Sequence, residues 1–407
     1  MKRRDFISLT APAAAAYLAG PTTSFGTTTR ASATTRASAT TRAVATTQTA
    51  ADGFFTLGRR GNRWILLTPD RQPFFSTGLN HIDSSSLRYP ENLARWEQHY
   101  DNDTLKWIRE SVAPNLRSWG FNSVGWVQEI SVRQHAHTRA FTLEEYRALE
   151  MPFCHLLPFI ETHQWNQSDR NPDLFSPAFE DWCDYVARAH CGRLRNESQL
   201  IGYFYSDCPT WVHTQSSTHW RGPMFDPERL QSDVGRQELS AMARRYYQVT
   251  HDAIRRYDPH HLILGDRYEA NARLPLEIIN AAIPFVDVLS FQDFKNPVER
   301  LQYWHNATGM PVLMADGTAN RAKVTDESGT YREGSYALTD GNWYAETVAG
   351  LLLNPGAIGA HLCGAYIRNR HRGRGLVDEQ EIPDEIAIHH LKTAHESVNQ
   401  WLAKFDA

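Results

Sequence analysis

From residue 54 onward, short apolar runs alternate with longer amphipathic stretches, and this alternation is the strongest signal in the chain. Eight runs stand out: Phe74–Leu79, Asn122–Trp126, Phe153–Phe159, Leu200–Tyr205, Leu262–Gly265, Val286–Phe291, Pro311–Ala315 and Ile358–Leu362. Between them lie Leu105–Trp119, Glu180–Leu194, Gly235–Tyr257, Pro275–Ile283, Val298–Ala307 and Trp343–Leu353, each long enough to cross back over a parallel strand. Strand and helix repeated eight times predict an α/β chain folded as a (β/α)8 TIM barrel. A doubly wound open sheet would favour a glycine-rich phosphate turn after the first strand. Gly78-Leu79-Asn80-His81 offers none, so neither a nicotinamide nor ATP is expected, and no cofactor is implied.

Ahead of the first run, Phe54 to Asp70 reads as a β-hairpin turning at Gly61-Asn62, followed by a Pro69-Asp70 turn. Such a hairpin is expected to cap the bottom of the barrel. The first 21 residues read as a twin-arginine export signal: Arg3-Arg4, a modest apolar run and small residues before a cleavage point. Residues 22–51 are a low-complexity linker in which Thr-Thr-Arg-Ala recurs at 28–31, 34–37 and 40–43, with no large apolar group to bury. The barrel domain is therefore placed at 52–407, outside the cytoplasm, in the periplasm or secreted.

Composition narrows the partners. The 407 residues are 41 % apolar and 22 % charged, with a formal charge of −4, so a general positive field for nucleic acid is missing. No run is long and apolar enough to span a bilayer, so no membrane is expected to hold the mature chain. Five cysteines form no metal-like pair, and an odd count over a large domain is a poor disulfide framework. His135-Ala136-His137 and His389-His390 lack the i, i+4 spacing of a hydrolytic zinc site, so no metal is expected from them. Aromatics reach 11 %, including 12 Trp and 16 Tyr, a supply of flat faces for stacking on sugar rings.

In a closed barrel the interior is packed solid, and the loops after each strand build the pocket. The positions just past the runs are unusually polar here. They include His81, Trp126, Tyr203, Tyr205, Asp207, Arg267, Tyr268, Gln292, Asp316 and His361, with Trp211 and Arg368 a little further on. Arg368 opens a loop, Arg368 to Arg374, that carries four arginines on a slightly acidic chain, as a rim attracting an anionic polysaccharide would.

Several of these pieces resemble clan A glycoside hydrolases, in particular the barrel of the family 50 agarases. The matching stretches are Gly61-Asn62-Arg63-Trp64 through Pro69-Asp70, Phe75 through Asp83, Trp119-Gly120-Phe121-Asn122, Ile201-Gly202-Tyr203-Phe204, Leu264 through Tyr268, and Pro311-Val312-Leu313-Met314. The resemblance implies a retaining mechanism, with a proton donor after strand four and a nucleophile after strand seven. The clan ends strand four in Asn-Glu, and those two positions fall on Asp207 and Cys208. The strand-seven nucleophile falls on Asp316, one methylene shorter than the glutamate it replaces.

Three functions follow in order of preference. The first is glycoside hydrolysis of an anionic, algal-type oligosaccharide. Here Asp207 protonates the leaving oxygen and Asp316 serves as nucleophile or base, the two facing each other across one cleft. His81, Arg267, Gln292 and His361 would hold the sugar, and Trp126 and Trp211 would stack on it. The second is elimination from a uronate-containing sugar, with His81, Tyr203, Tyr205 and His361 as base and proton donor, and Arg267 with Arg368 clamping the carboxylate. The third is a barrel that holds sugar without turning it over.

Overall fold

The computed structural model describes residues 53–126, 141–160, 173–207, 209, 211, 228–269, 274–317, 342–363, 366–367 and 375–405, with 206 and 207 described by backbone alone. It shows the expected barrel. Eight parallel strands close in the order β10-β11-β4-β5-β6-β7-β8-β9. They are β4 (Ser76–Leu79), β5 (Ser123–Val124), β6 (Phe153–Leu156), β7 (Leu200–Asp207), β8 (Leu262–Glu269), β9 (Leu289–Gln292), β10 (Val312–Gly317) and β11 (Ala357–Leu362). Among the described residues no helix is long and apolar enough to cross a membrane.

The helices start where side chains can replace missing backbone partners. Ser176 accepts from the Phe179 N–H ahead of the helix Pro177–Leu194, and Ser232 accepts from Gly235 ahead of Asp233–Tyr257. Thr142 and Glu145 form a reciprocal capping box on Leu143–Leu149. The predicted stretch Leu105–Trp119 is helical from Thr104 to Ser118, but its middle turn, Ile108–Val112, is π-wound. Pro114 supplies the reason, because it lacks the N–H that would close back onto Glu110 and the wider turn absorbs the gap.

The hairpin is present as β1 (Thr56–Arg60) and β2 (Arg63–Leu67), with Arg60 opposite Arg63, so that Gly61-Asn62 forms the turn. Gly61 has φ +60°, the left-handed backbone that a tight hairpin requires. One detail departs from the sequence reading. Pro73–Phe74 does not begin the first barrel strand but adds a third strand, β3, to the hairpin sheet. This small sheet sits under the barrel, at the ends where strands enter. Arg63 donates to the carbonyls of Leu352 and Asn354, and the Trp64 indole donates to Gly309, at the helix ends and turns leading into β10 and β11. Phe55 and Leu66 join the barrel's own interior, packed with Leu156, Ile201, Phe204, Leu264, Leu313 and Ile358. A larger apolar layer lies between strands and helices.

Candidate functional site

Side chains on a strand alternate between the barrel axis and the helix layer, so parity decides which residues reach the mouth. On β4, Ser76, Gly78 and Asn80 face inward while Phe75 and Leu79 pack outward. On β11, Ile358 and His361 face inward. The His361 ring is wholly buried, with Nε2 2.8 Å from Ser76 Oγ, and its neighbours are cut back to make room. A Cβ on Gly78 would stand 2.7 Å from the ring, and one on Gly125 would stand 2.6 Å from His361 Nδ1 and 2.1 Å from Asn80 Oδ1. Burial, with a smaller push from the Arg267 cation, pulls the His361 pKa down to about 3, so the ring is neutral.

Two of the strands that break this alternation deliver charged side chains. In β8 the register slips at Gly265, which has φ +69°. Below the slip, Leu262 and Leu264 face inward. Above it, Asp266 and Tyr268 face the helix Asp233–Tyr257, where Asp266 accepts from Tyr246 (3.0 Å) and Tyr247 (2.6 Å) and Tyr268 meets Tyr247 at 2.8 Å. An unbroken strand would have aimed Asp266 at the axis; the bulge aims Arg267 there instead. β10 does the same between Met314 and Asp316, where its register slips against both neighbours. Leu313 and Ala315 face inward, and the slip turns Asp316 inward as well.

The result is a charged cluster on the floor of the mouth. Asn80 Nδ2 donates to Asp316 Oδ1 at 2.6 Å and to the Ala315 carbonyl at 2.8 Å. Arg267 donates to the same carbonyl at 3.3 Å and lies 3.6 Å from Asp316 Oδ2. Its guanidinium covers the Trp126 ring at 3.9 Å, and the His81 ring meets the edge of that indole at 5.3 Å. The Trp126 backbone N–H in turn donates to Asn80 Oδ1 at 2.9 Å. Arg267 is 0 % exposed and Asp316 2 %. A buried ion pair of this kind holds both charges in place by mutual attraction and added hydrogen bonds.

His81, Trp126, Arg267, Asp316 and His361 are thus brought to one end of the barrel interior, and Gln292 ends β9 beside β10, 8 % exposed. Tyr203, Tyr205, Tyr268 and Trp211 are not. Tyr203 points out to Asp258 (2.6 Å), and Tyr205 and Trp211 pack on Tyr246 and Tyr247. All four belong to the layer between strands and helices, because of their parity on β7 and β8 and, for Trp211, its seat against that helix. Elimination therefore loses two of its four expected groups, since Tyr203 and Tyr205 face away from His81 and His361. Asp207 is level with Arg267 by backbone pairing. Arg368, the arginine loop, Cys208 and His135 to His137 lie outside the described residues. Asp316, expected to face Asp207 across one cleft, has a side chain 3 % exposed.

Two contributors were missed. Asn80 joins the Asp316 carboxylate to the Trp126 backbone, and its signal was readable: Ser76, Gly78 and Asn80 are small or polar at every second position, the mark of an inward face. Cys363, two residues beyond His361, brings its sulfur within 4.8 Å of ligand atoms of both His81 and Asp316.

No protein-family profile matches the chain, and no curated protein sequence matches it. Solved structures do. An agarase superposes with a TM-score of 0.65 at 18 % identity, covering 86 % of this chain and 64 % of the agarase. An exo-beta-agarase gives 0.65 at 16 %, covering 86 % and 65 %. A Bacteroides uniformis beta-glucuronidase gives 0.52 at 13 %, covering 84 % and 37 %. The chain spans under two thirds of the length of each of these three. At such identities the likeness is one of fold: a glycoside hydrolase-like barrel.

Proposed function

We propose that this chain is a carbohydrate-active enzyme that hydrolyses glycosidic bonds in an anionic, algal-type oligosaccharide. One observation carries the proposal. At the carboxyl ends of the barrel strands, where barrel enzymes keep their chemistry, two separate bulges turn a carboxylate and a guanidinium inward against each other. Asp316 supplies the carboxylate that a developing oxocarbenium ion needs, and Asn80 and Arg267 hold it in place. Asp207, at the end of β7 and level with Arg267, is the proton donor. Arg267, with the arginines at 368 to 374, favours an acidic sugar. The fold shared with agarases supports the substrate class. Because Asp316, Trp126 and His81 are buried, hydrolysis requires the sugar to open the mouth down to this floor. The twin-arginine leader at residues 1–21 would deliver the enzyme to the periplasm, where such oligosaccharides arrive.

The test is a product mass spectrum across a panel of algal oligosaccharides, neutral and acidic. Cleavage with one water gained, abolished by both Asp316→Asn and Asp207→Asn in folded protein, is the expected result. Loss of water without cleavage, or wild-type rates in both variants, refutes it.

A further inference from the structure

Among the described residues, one group of three metal-ligating side chains stands together: His81, Asp316 and Cys363. The imidazole nitrogen, a carboxylate oxygen and the sulfur all lie within 4.8 Å of one another, and the residues are 5 %, 2 % and 2 % exposed. We propose that they form a binding site for a divalent transition metal ion of the zinc class. It uses the floor of the same mouth but does not depend on the hydrolase assignment.

The donor set itself selects the ion. Thiolate and imidazole together favour zinc or cobalt over magnesium or calcium, which take oxygen. In a tetrahedral site with metal–sulfur bonds of about 2.3 Å and metal–nitrogen or metal–oxygen bonds of about 2.0–2.2 Å, donors stand roughly 3.3–3.8 Å apart. The three donors here need to close by about 1 Å, which side-chain rotation supplies without moving backbone.

The backbone around them is already fixed. The donors come from the ends of three neighbouring strands, β10, β11 and β4. Cys363 N–H donates to Gly317 at 2.6 Å, Asn80 N–H to Leu362 at 2.9 Å, and His81 N–H to Trp126 at 3.0 Å, while the His81 carbonyl accepts from Tyr366 at 3.1 Å. His81 is also held at φ +61°, a left-handed conformation uncommon for histidine that sets where its ring departs from β4. Asn80 supplies the outer support that metal-binding carboxylates need: it donates to Asp316 Oδ1 and so fixes the orientation of the carboxylate.

Charge sets the expected strength. Arg267, 3.6 Å from Oδ2, opposes a second cation. Loss of the thiol proton on binding offsets one of the two incoming charges, so the site gains one net positive charge. Three protein donors leave a fourth position for water or a sugar hydroxyl, the pattern of a catalytic rather than a structural zinc site.

The experiment uses the full chain, stripped with a chelator and titrated with Zn2+ by calorimetry and with Co2+ by absorption, without sugar. One equivalent should bind, and the cobalt complex should show a thiolate-to-metal charge-transfer band. Cys363→Ser should abolish that band, and His81→Asn, whose side chain tolerates the left-handed backbone, should weaken binding at least tenfold. Cys154→Ser, lower in the barrel interior, should leave both unchanged. Circular dichroism checks that each variant is folded. A wild-type chain that takes up no cobalt, or a band that survives Cys363→Ser, overturns the proposal. Sugar cleavage is measured separately on stripped and zinc-loaded protein, so a failure of metal binding and a failure of hydrolysis register as different results.

Discussion

Removing either member of the buried pair leaves the other charge stranded, and the size of the loss follows from what remains around it. In Asp316→Asn, the Arg267 guanidinium stays 0 % exposed, with the Ala315 carbonyl at 3.3 Å and the Trp126 face at 3.9 Å. Breaking a buried pair on one side costs about 3–5 kcal/mol, and the cation–π contact with Trp126, present with and without Asp316, does not offset it. The expected loss is therefore about 3–5 kcal/mol. Arg267→Met keeps the stem volume but strands the Asp316 carboxylate with Asn80 as its hydrogen-bond donor; its loss should match. The double variant strands no charge, so it should be more stable than the sum of the single losses predicts by about 1–3 kcal/mol. Equilibrium urea unfolding measures all three, with an unchanged m-value as the check that the unfolded state is the same. Single variants within about 0.5 kcal/mol of wild type, or strict additivity, would refute the view that these two charges hold each other in place.

Further substitutions probe how the cluster is delivered. Gly265→Ala places a Cβ on a left-handed backbone, at a cost of about 1–2 kcal/mol, and 3.1 Å from Val286; it should lower the melting midpoint and reduce sugar cleavage by disturbing Arg267. Gly125→Ala drives a Cβ into Asn80 and His361, and overpacking of this kind costs about 1–3 kcal/mol; soluble protein with wild-type stability and turnover would contradict the packing described. His395 offers a pH test. Burial pulls its pKa from 6.5 to about 4, while its Nδ1–H donates to Trp119 and its Nε2 accepts from Tyr344. The unfolded chain binds a proton there between pH 6.5 and 4 and the folded chain does not, so stability is full above pH 6.5 and falls toward pH 4. The slope from this residue is up to about 1.4 kcal/mol per pH unit. His395→Gln should remove that slope in urea titrations; an unchanged slope would show that the ring is not the group responsible.

The barrel was legible because its strands are apolar where they must be buried. Leu200 to Tyr205 and Ile358 to Leu362 announce themselves by composition, and the turn at Gly61-Asn62 by its residue types. The site was less legible because its membership depends on parity, and parity changes at register slips in β7, β8 and β10. Counting along β7 and β8 without them makes Tyr203, Tyr205 and Tyr268 look like mouth residues, whereas hydrogen bonds to Asp258 and Tyr247 hold Tyr203 and Tyr268 against the helices. Gly265 was a visible hint, since a glycine inside a strand often marks a bulge. Nothing comparable in Met314-Ala315-Asp316 betrays the slip in β10. Asp316 and Arg267 are visible in the sequence as strand-end residues; their pairing from β8 and β10 on either side of β9, with Arg267 over Trp126 and Asn80 donating to Asp316, emerges only from the fold.

Because both slips lie within hydrogen-bonded strands rather than in the segments that follow them, the charged pair is anchored independently of whatever covers it. Exchanging the sequences beyond β8 or β10 should leave Arg267 and Asp316 where they are. Under the proposed function, such a design would separate recognition from chemistry: the rim could drift toward a new ligand while the ionic foundation beneath it stays the same.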